Sequence, residues 1–525
     1  MDVVDAISGP GEIIMARYHL LGMLGLLTAS AAQGAVVLDP MPPVMPGIRV
    51  GLTFLGQAPA TGDPAIDGFR SRLQSLRSVP DASGRLFFND TRGTIGVMGA
   101  GGGTPQTWFD IRTAVAGFSN ASNTAQTGLM SFAFHPNFAG EAGQPGYGVF
   151  YTIDTSRPSG TASLSGKGPG VDHDNVLHEF RVADPMAASA TILSQREVLR
   201  VAQPLSDHGP GTIAFNPTAK PGSADYGKLY VGFGDGGGVG DPYGNAQDPA
   251  SPLGKILRID PAQGPQGQAY TIPTDNPQAG TPGALGEVWA SGLRNPQQFS
   301  WDADTGRMLI ADIGQSQLEE VNVGIAGGNY GWPLREGTFA RGSSTDPNVY
   351  DTPANPGTFR DPVAQFDHEE IARSGLFGLS AISGVFAYTG SLVPELTGMT
   401  VLSELVSGRL FYYDPLSITG SGTALLRELG LNFEGRDTTM SQLDGNPAFA
   451  GRVDLRLGSD NAGEIYLLSK SFGNVYRLTS LTAVPEPASW LMLIAGAGLV
   501  GGLLRRRRRQ IHRPGNTLCA ATRAR

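Results

Sequence analysis

A short apolar strand entered through a glycine turn recurs along the middle of the chain: SGRLFFND at 83, YGVFYTID at 147, YGKLYVGF at 226, TGRMLIAD at 305, SGRLFYYD at 407 and AGEIYLLS at 462. A glycine at a fixed place before alternating apolar residues marks a tight turn feeding a strand. Separations of about forty to ninety residues suit four-stranded sheets with loop insertions, and radial repetition is one way to protect sheet edges. The reading is an all-β chain, a β-propeller of four-stranded blades, with a large β-sandwich as the alternative. Composition agrees: 74 glycines and 38 prolines against 16% charged residues favour turns and short strands over amphipathic helices. Residues 35–82 and 338–375 lack clear periodicity and read as an entry segment and a long surface loop.

The two ends read differently from the body. Met15 to Ala35, MARYHLLGMLGLLTASAAQGA, has a basic start, an apolar run and small residues at its end, the layout of a secretory signal peptide. Asp2, Asp5 and Glu12 put negative charge ahead of it, so Met15 is the expected start and residues 1–34 the leader. At the other end, VPEPASWLMLIAGAGLVGGLLRRRRR (484–509) sets an apolar run before five arginines. It is short beside the roughly twenty residues a membrane span needs, and the arginines would hold its far side in the cytoplasm. This segment resembles the PEP-CTERM sorting signal of Gram-negative bacteria, which implies processing by an exosortase and a short transmembrane helix over 490–504. Residues 510–525 form a basic tail. The expected body, a β-propeller domain over 83–480, is then exported to the periplasm or cell surface. The net charge of -9, with eight of the arginines after residue 504, argues against nucleic-acid binding by the body. The single Cys519 leaves that body without disulfides.

Three motif matches fail on context. GFGDGG at 232 satisfies a dinucleotide fingerprint, yet VGDPYGNAQDP follows it and cannot open the helix such a site needs. GAGLVG at 496 lies in the apolar tail, and DADTG at 302 lacks the remaining ligands of a calcium loop.

Polar residues at strand ends carry the candidate chemistry: Gln126, Asp207-His208 in DHGPG, Asp235 in GDGGG, Arg294-Asn295 in GLRNPQ, and the stretch DIGQSQLEEVN. Histidine accepts protons near neutral pH, a carboxylate can orient it, and arginine stabilises negative charge developing on oxygen. Singly, each has a structural reading. Asp235 between glycines can form a turn, Arg294 can brace a loop, Glu319-Glu320 can be a solvated edge, and His135 in AFHPNF reads as a turn residue.

Taken in order, GLMSFAFHPNF, DHGPGTIAFNP, GKLYVGFGDGG, LGKILRIDP, YTIPTDNP, the run from Gly292 to Gly337 and SGVFAYTG resemble the glucose/sorbosone dehydrogenase family of soluble pyrroloquinoline quinone (PQQ) enzymes. The resemblance implies six blades with PQQ over the central channel, and oxidation of an aldose to its lactone with an external electron acceptor. It implies His208 as general base with Asp207 beside it, Gln126 and Asp235 as substrate contacts, and Arg294, Asn295 and Arg452 as cofactor contacts. It also implies Ca²⁺ on the carbonyls of Gly314 and Gln315, and a second calcium at Glu320 and Tyr330. Two departures stand out: Val406 occupies the place of a cofactor-binding lysine, and Pro210 replaces a small residue. A non-catalytic polysaccharide-binding propeller and a calcium-dependent lactonase are the competing functions.

Overall fold

The computed structural model describes residues 34–120, 126–351, 358–368, 380–418, 422–447 and 451–481. The expected leader and the apolar C-terminal segment lie outside them. No helix among the described residues is long and apolar enough to cross a membrane.

The chain is mostly β. Its main strands run in successive antiparallel meanders; the second carries a short fifth strand, Leu164–Ser165, and parallel pairing joins the fifth, sixth and first into one longer sheet. The first is Leu73–Ser78, Arg85–Asp90, Thr94–Gly99 and Gln106–Asp110. The second is Leu129–Phe134, Val149–Ser156, His173–Val182 and Ile192–Gln203. The third is Pro210–Phe215, Leu229–Phe233, Lys255–Ile259 and Val288–Ser291. The fourth is Pro296–Trp301, Met308–Asp312, Leu318–Gly324 and Ala364–Asp367. The fifth is Ile382–Ala387, Thr400–Glu404, Leu410–Tyr413 and Arg427–Phe433. The sixth joins Leu455–Ser459, Ile465–Ser469 and Asn474–Thr479 to Met45–Gln57 from the other end of the chain, with Leu52 opposite Leu478.

Five of the six glycine-led repeats are the second strand of their meander, and SGRLFYYD at 407 is the third strand of the fifth, Leu410–Tyr413. The repeated glycine is left-handed every time, from Gly84 at φ 66° to Gly463 at φ 81°. A side chain there would meet its own backbone, which is why the position reads so regularly as glycine.

Both faces of a strand sheet in such a chain must be covered, and the hydrophobic clusters show how. Phe87, Trp108, Phe132 and Phe150 fill the gap between the first and second meanders. Ile153, Val201, Ile213 and Val231 fill the next, and Ile256, Phe299 and Ile310 the one after. Val321 and Phe366 meet Val385 and Phe411, then Val401 and Leu429 meet Leu455 and Leu467. Finally Tyr466, Leu468 and Val475 of the sixth meander pack on Leu76, Leu86 and Phe88 of the first. The meanders therefore close into a ring, in place of the two layers of a sandwich. The first strand of each meander is innermost, and Ser75, Met130, Thr212, Gln298, Ser383 and Arg456, one from each, line a narrow polar channel on the axis.

Two segments depart from expectation. Residues 35–82 hold the closing strand Met45–Gln57 and the first inner strand, so the sheet body begins well before residue 83. The segment 338–375, read as loop, contributes Phe339–Arg341, Val349–Tyr350 and the outer strand Ala364–Asp367. Both pair with distant partners, which local periodicity does not reveal.

Candidate functional site

In a ring of meanders the segments entering first strands and the loops leaving second strands reach the same rim. Gln126, His208 and Arg294 precede first strands, while Asp235 and Gly314-Gln315 follow second strands. The topology alone gathers the candidate residues.

His208 sits at φ 50°, a conformation uncommon outside glycine and frequent where a site holds a residue in place. Its Nδ1 lies 2.7 Å from Asp235 Oδ1. A carboxylate only accepts, so Nδ1 carries the proton and Nε2 keeps its lone pair. Asp235 is fully buried and further held by Trp332 Nε1–H, which donates to Oδ2 at 2.8 Å, and by the Gly237 N–H at 3.0 Å. Burial by itself would raise the Asp235 pKa, but the imidazole, Arg294 and the Gly237 N–H outweigh it and hold the carboxyl below its ordinary value. The imidazole thus takes its carboxylate from Asp235, 27 residues on, and not from the adjacent Asp207. The Asp207 carboxylate lies against Gly237, where a Cβ would come within 2.2 Å of its Oδ1.

Arg294 stands next to this pair. Its carbonyl accepts from the Asp235 N–H at 2.8 Å. Its guanidinium lies over the Trp332 ring at 5.6 Å and donates from Nη1 to the carbonyls of Ile313 and Gly314, while its buried Nε has no partner. The backbone N–H groups of Arg294 and Asn295 both donate to Asp312, at 3.0 and 2.7 Å. Asp312 faces Glu320 across the sheet, and burial pushes the two carboxyls up to about 7 and about 8. Asn295 itself is buried and accepts from Gln297 Nε2. Gln126 Oε1 accepts from the Gly209 N–H at 3.2 Å, which fixes the backbone just after His208.

The turn carrying Gly314 and Gln315 is built around one carboxylate. Glu336 Oε1 accepts from the N–H groups of Gln315, Ser316, Gln317 and Leu318, at 2.9, 2.7, 2.7 and 3.1 Å. The oxygens of Glu320 and Tyr330 are engaged with protein partners: Glu320 accepts from Gly337 N and Asn322 Nδ2, and Tyr330 donates to Val323 O while accepting from Ile325 N. Arg452 lies on the sixth meander's approach and donates from Nε to Asp454 Oδ1 at 2.6 Å. Val406 is buried and apolar at its rim loop, its N–H donating to Glu404 Oε1.

The key residues that sequence reasoning missed are Trp332, which joins Asp235 to Arg294, and Glu336, which shapes the turn. Both fall in the GGNYGWPLREG stretch, whose density of turn residues ahead of a lone tryptophan was the available signal. His135 is a turn residue as expected: its Nδ1 accepts from the Asn137 N–H, and burial holds its pKa down at about 4.

The family profile described as Glucose / Sorbosone dehydrogenase matches residues 73–417, and the PEP-CTERM protein-sorting motif matches residues 483–509. The HIPL1 protein of Arabidopsis thaliana is 30% identical over 443 residues, which cover 76% of this chain and 60% of that protein. The chain thus spans about three fifths of that relative's length. The human Hedgehog-interacting protein is 27% identical over 240 residues, 45% of this chain and 31% of the relative. Among solved structures, the PQQ-bound aldose sugar dehydrogenase of Streptomyces coelicolor superposes with a TM-score of 0.52 at 21% identity, covering 83% of this chain and 99% of that one, a likeness of fold. Matched across residues 73–417, the chain belongs to the glucose/sorbosone dehydrogenase family.

Proposed function

We propose that the protein is an exported PQQ-dependent oxidoreductase that converts an aldose to its lactone on a six-bladed propeller. The single observation that carries the reading is the buried His208–Asp235–Trp332 chain with Arg294 against it. Oxidising a sugar at its anomeric carbon removes one proton and one hydride. The hydroxyl proton passes to His208 Nε2, the C–H bond pair leaves as hydride, and the C–O bond becomes the lactone carbonyl. Asp235 keeps the imidazole in the tautomer that accepts at Nε2 and stabilises the imidazolium that results. Arg294 holds a fixed positive charge where negative charge gathers on an acceptor oxygen. Gln126, expected as a substrate contact, lies beside the base through the Gly209 N–H, whereas Asp235, expected as the other, is fully buried against the imidazole and serves to orient it.

PQQ, when bound, would supply the two-electron acceptor. The residues fit it: it is a polyanion, and the rim presents a guanidinium whose buried Nε has no partner. Arg294, Asn295 and Arg452 are the side chains assigned to it. For calcium the fit divides. The Gly314 carbonyl already accepts from Arg294 Nη1 at 2.8 Å, so an ion there would have to displace that bond, and of the roughly six to eight oxygens it takes most would come from the Gln315 carbonyl, the cofactor and water. Glu320 and Tyr330 do not fit a second ion as they stand, since their oxygens are already taken.

A second reading, a non-catalytic carbohydrate-binding propeller, draws support from Val406 in the lysine position. One experiment separates the two: PQQ and Ca²⁺ are added to the purified protein, and cofactor absorbance and dye reduction are followed across a panel of sugars. Dye reduction that vanishes in His208→Asn with PQQ still bound supports the dehydrogenase; saturable sugar binding without PQQ uptake overturns it. The sorting motif supports processing by an exosortase in a Gram-negative envelope, with electrons passing to an external acceptor.

A further inference from the structure

Two buried lysines of this chain are held in opposite ways, and the contrast identifies a site. Lys255 is fully buried, and its ammonium donates to three carbonyls, those of Asn245 at 2.7 Å, Ala246 at 2.9 Å and Leu253 at 2.8 Å. That is a satisfied structural cation. Lys470 is 2% exposed and makes no ion pair among the described residues. The charges that act on it most are those of Arg456, Asp454, Arg72 and Arg452, and Asp454 is already bonded to Arg452. Arg456 is 4% exposed, and its buried Nε has no partner. The buried hydroxyls of Ser71 and Ser471 beside them also lack partners, and the Arg70 N–H donating to Ser471 O at 2.9 Å ties the two segments together.

Lys470 and Arg456 are both buried cations, and a buried charge without a partner is costly to the fold. The electrostatics carry the same sign: burial pushes Lys470 down to about 7 and Arg456 to about 10, and for Lys470 the neighbouring guanidinium groups add to the depression. An anion of matching charge would convert that cost into binding energy.

The place is specific. Lys470 follows the second strand of the sixth meander, Ile465–Ser469, and so emerges on the rim that carries His208 and Asp235. Arg456 lines the axial channel together with Thr212, which lies on the strand entered from His208, and Gln297, which follows Asn295. The cluster thus belongs to the rim that carries the base, and Arg456 shares the axial pocket with the strand that His208 leads into.

We infer that Lys470 and Arg456, with Arg72 beside them, form an anion seat for a polycarboxylate, and that it takes the carboxylates of the cofactor from the sixth meander in place of a lysine at Val406. This rests on the PQQ reading above and deepens it. Its ligand class is a planar polycarboxylate, recognised by two desolvated cations with free N–H groups.

The test uses the full chain with Lys470→Met and Arg456→Met, variants that keep length and remove charge. PQQ binding is titrated by tryptophan quenching, with benzene-1,3,5-tricarboxylate as competitor. Each variant is expected to weaken PQQ at least tenfold and to abolish competition, and Lys470→Arg to restore affinity to within about threefold. Without ligand, K470M should melt at a higher temperature than the wild type, because it removes an unpaired buried charge; a lysine with a structural role would give the reverse. Unchanged PQQ affinity in both methionine variants, or a lower melting temperature for ligand-free K470M, overturns the seat and leaves the PQQ reading standing. Tricarboxylate binding that depends on Lys470 without PQQ binding supports the seat and overturns the cofactor. Binding of neither probe by the wild type overturns both.

Discussion

Replacing Asp235 by asparagine is the sharpest perturbation of the proposed base, because it is isosteric and removes one feature. Asp235 accepts three hydrogen bonds in the core: from His208 Nδ1, Trp332 Nε1 and Gly237 N. Asparagine keeps one acceptor oxygen and turns an NH₂ toward either the indole or the imidazole. If the NH₂ faces His208, Nδ1 becomes the acceptor and the proton moves to Nε2, the atom that has to take the sugar's proton. A positioned general base contributes roughly 10²–10⁴ in rate, about 3–5 kcal/mol, so a wrong tautomer should remove most of that. The expected result is a fall in kcat/KM of about 10³ in dye reduction at saturating PQQ, with PQQ affinity within about threefold of the wild type. A charge-assisted buried bond is worth roughly 1.5–3 kcal/mol, so unfolding should show a loss of that order without loss of the fold. Activity within about fivefold of the wild type would refute the assignment of Asp235 as the orienting group, and with it the tautomer argument.

Trp332→Phe should lower kcat by about tenfold while leaving KM for the sugar near its wild-type value, since it frees Asp235 Oδ2 without touching the reacting atoms; steady-state kinetics checks it. Glu336→Ala strands four N–H groups and should cost about 3 kcal/mol or more in urea unfolding, with Glu336→Gln losing about half as much. Gly408→Ala, at φ 73° with a new Cβ 2.7 Å from Met440 Cβ, should destabilise by more than 1 kcal/mol. Gly398→Ala, at φ 78° in open space, should lose less by the same measurement. His368 joins the fourth and fifth meanders through Glu319, which also accepts from the Ile382 N–H. Burial lowers its pKa, but the bond to Glu319 and that carboxylate's charge raise it further, leaving it above the ordinary value. The folded pKa being the higher one, this clasp is fully stabilising below about pH 6.5 and is lost as pH rises through the raised value. Urea midpoints from pH 6 to 9 should decline for the wild type and flatten in His368→Asn.

What could be read from the sequence was what local chemistry writes. A left-handed glycine before a strand recurs because a turn requires it, so one strand of every meander was visible, the second in five of them and the third in the remaining one. The closing strand Met45–Gln57 was not, because its pairing with Asn474–Thr479 joins the ends of the chain and leaves no local period. The residues of the site were visible as types at strand ends, and the topology brings His208, Asp235, Arg294 and Gly314 to one rim. Their pairing was less legible. Sequence adjacency favours Asp207 as the partner of His208, yet the Asp207 carboxylate lies against Gly237. The loop after the next strand delivers Asp235 to the ring nitrogen instead.

The same geometry bears on how the cofactor is held. A rim built from loops of every meander can supply a given charge from several places, so the absence of a lysine at one loop does not by itself remove the cation from the site. At Val406 the fifth meander turns inward on Glu404, whose carboxylate takes the N–H groups of Val406 and Ser407 at 2.6 Å each. A lysine there would gain little, since the loop's one carboxylate is spent on backbone. One meander further on, Lys470 makes no ion pair among the described residues and Arg456 Nε has no hydrogen-bond partner, next to a channel shared with the strand behind His208. Charge missing from one blade and left unpaired on its neighbour is what relocation of an anion seat around a ring would leave. If so, combining Val406→Lys with Lys470→Met should recover part of the PQQ affinity lost in the single variant, and failure to recover any would show that the two loops do not address the same ligand.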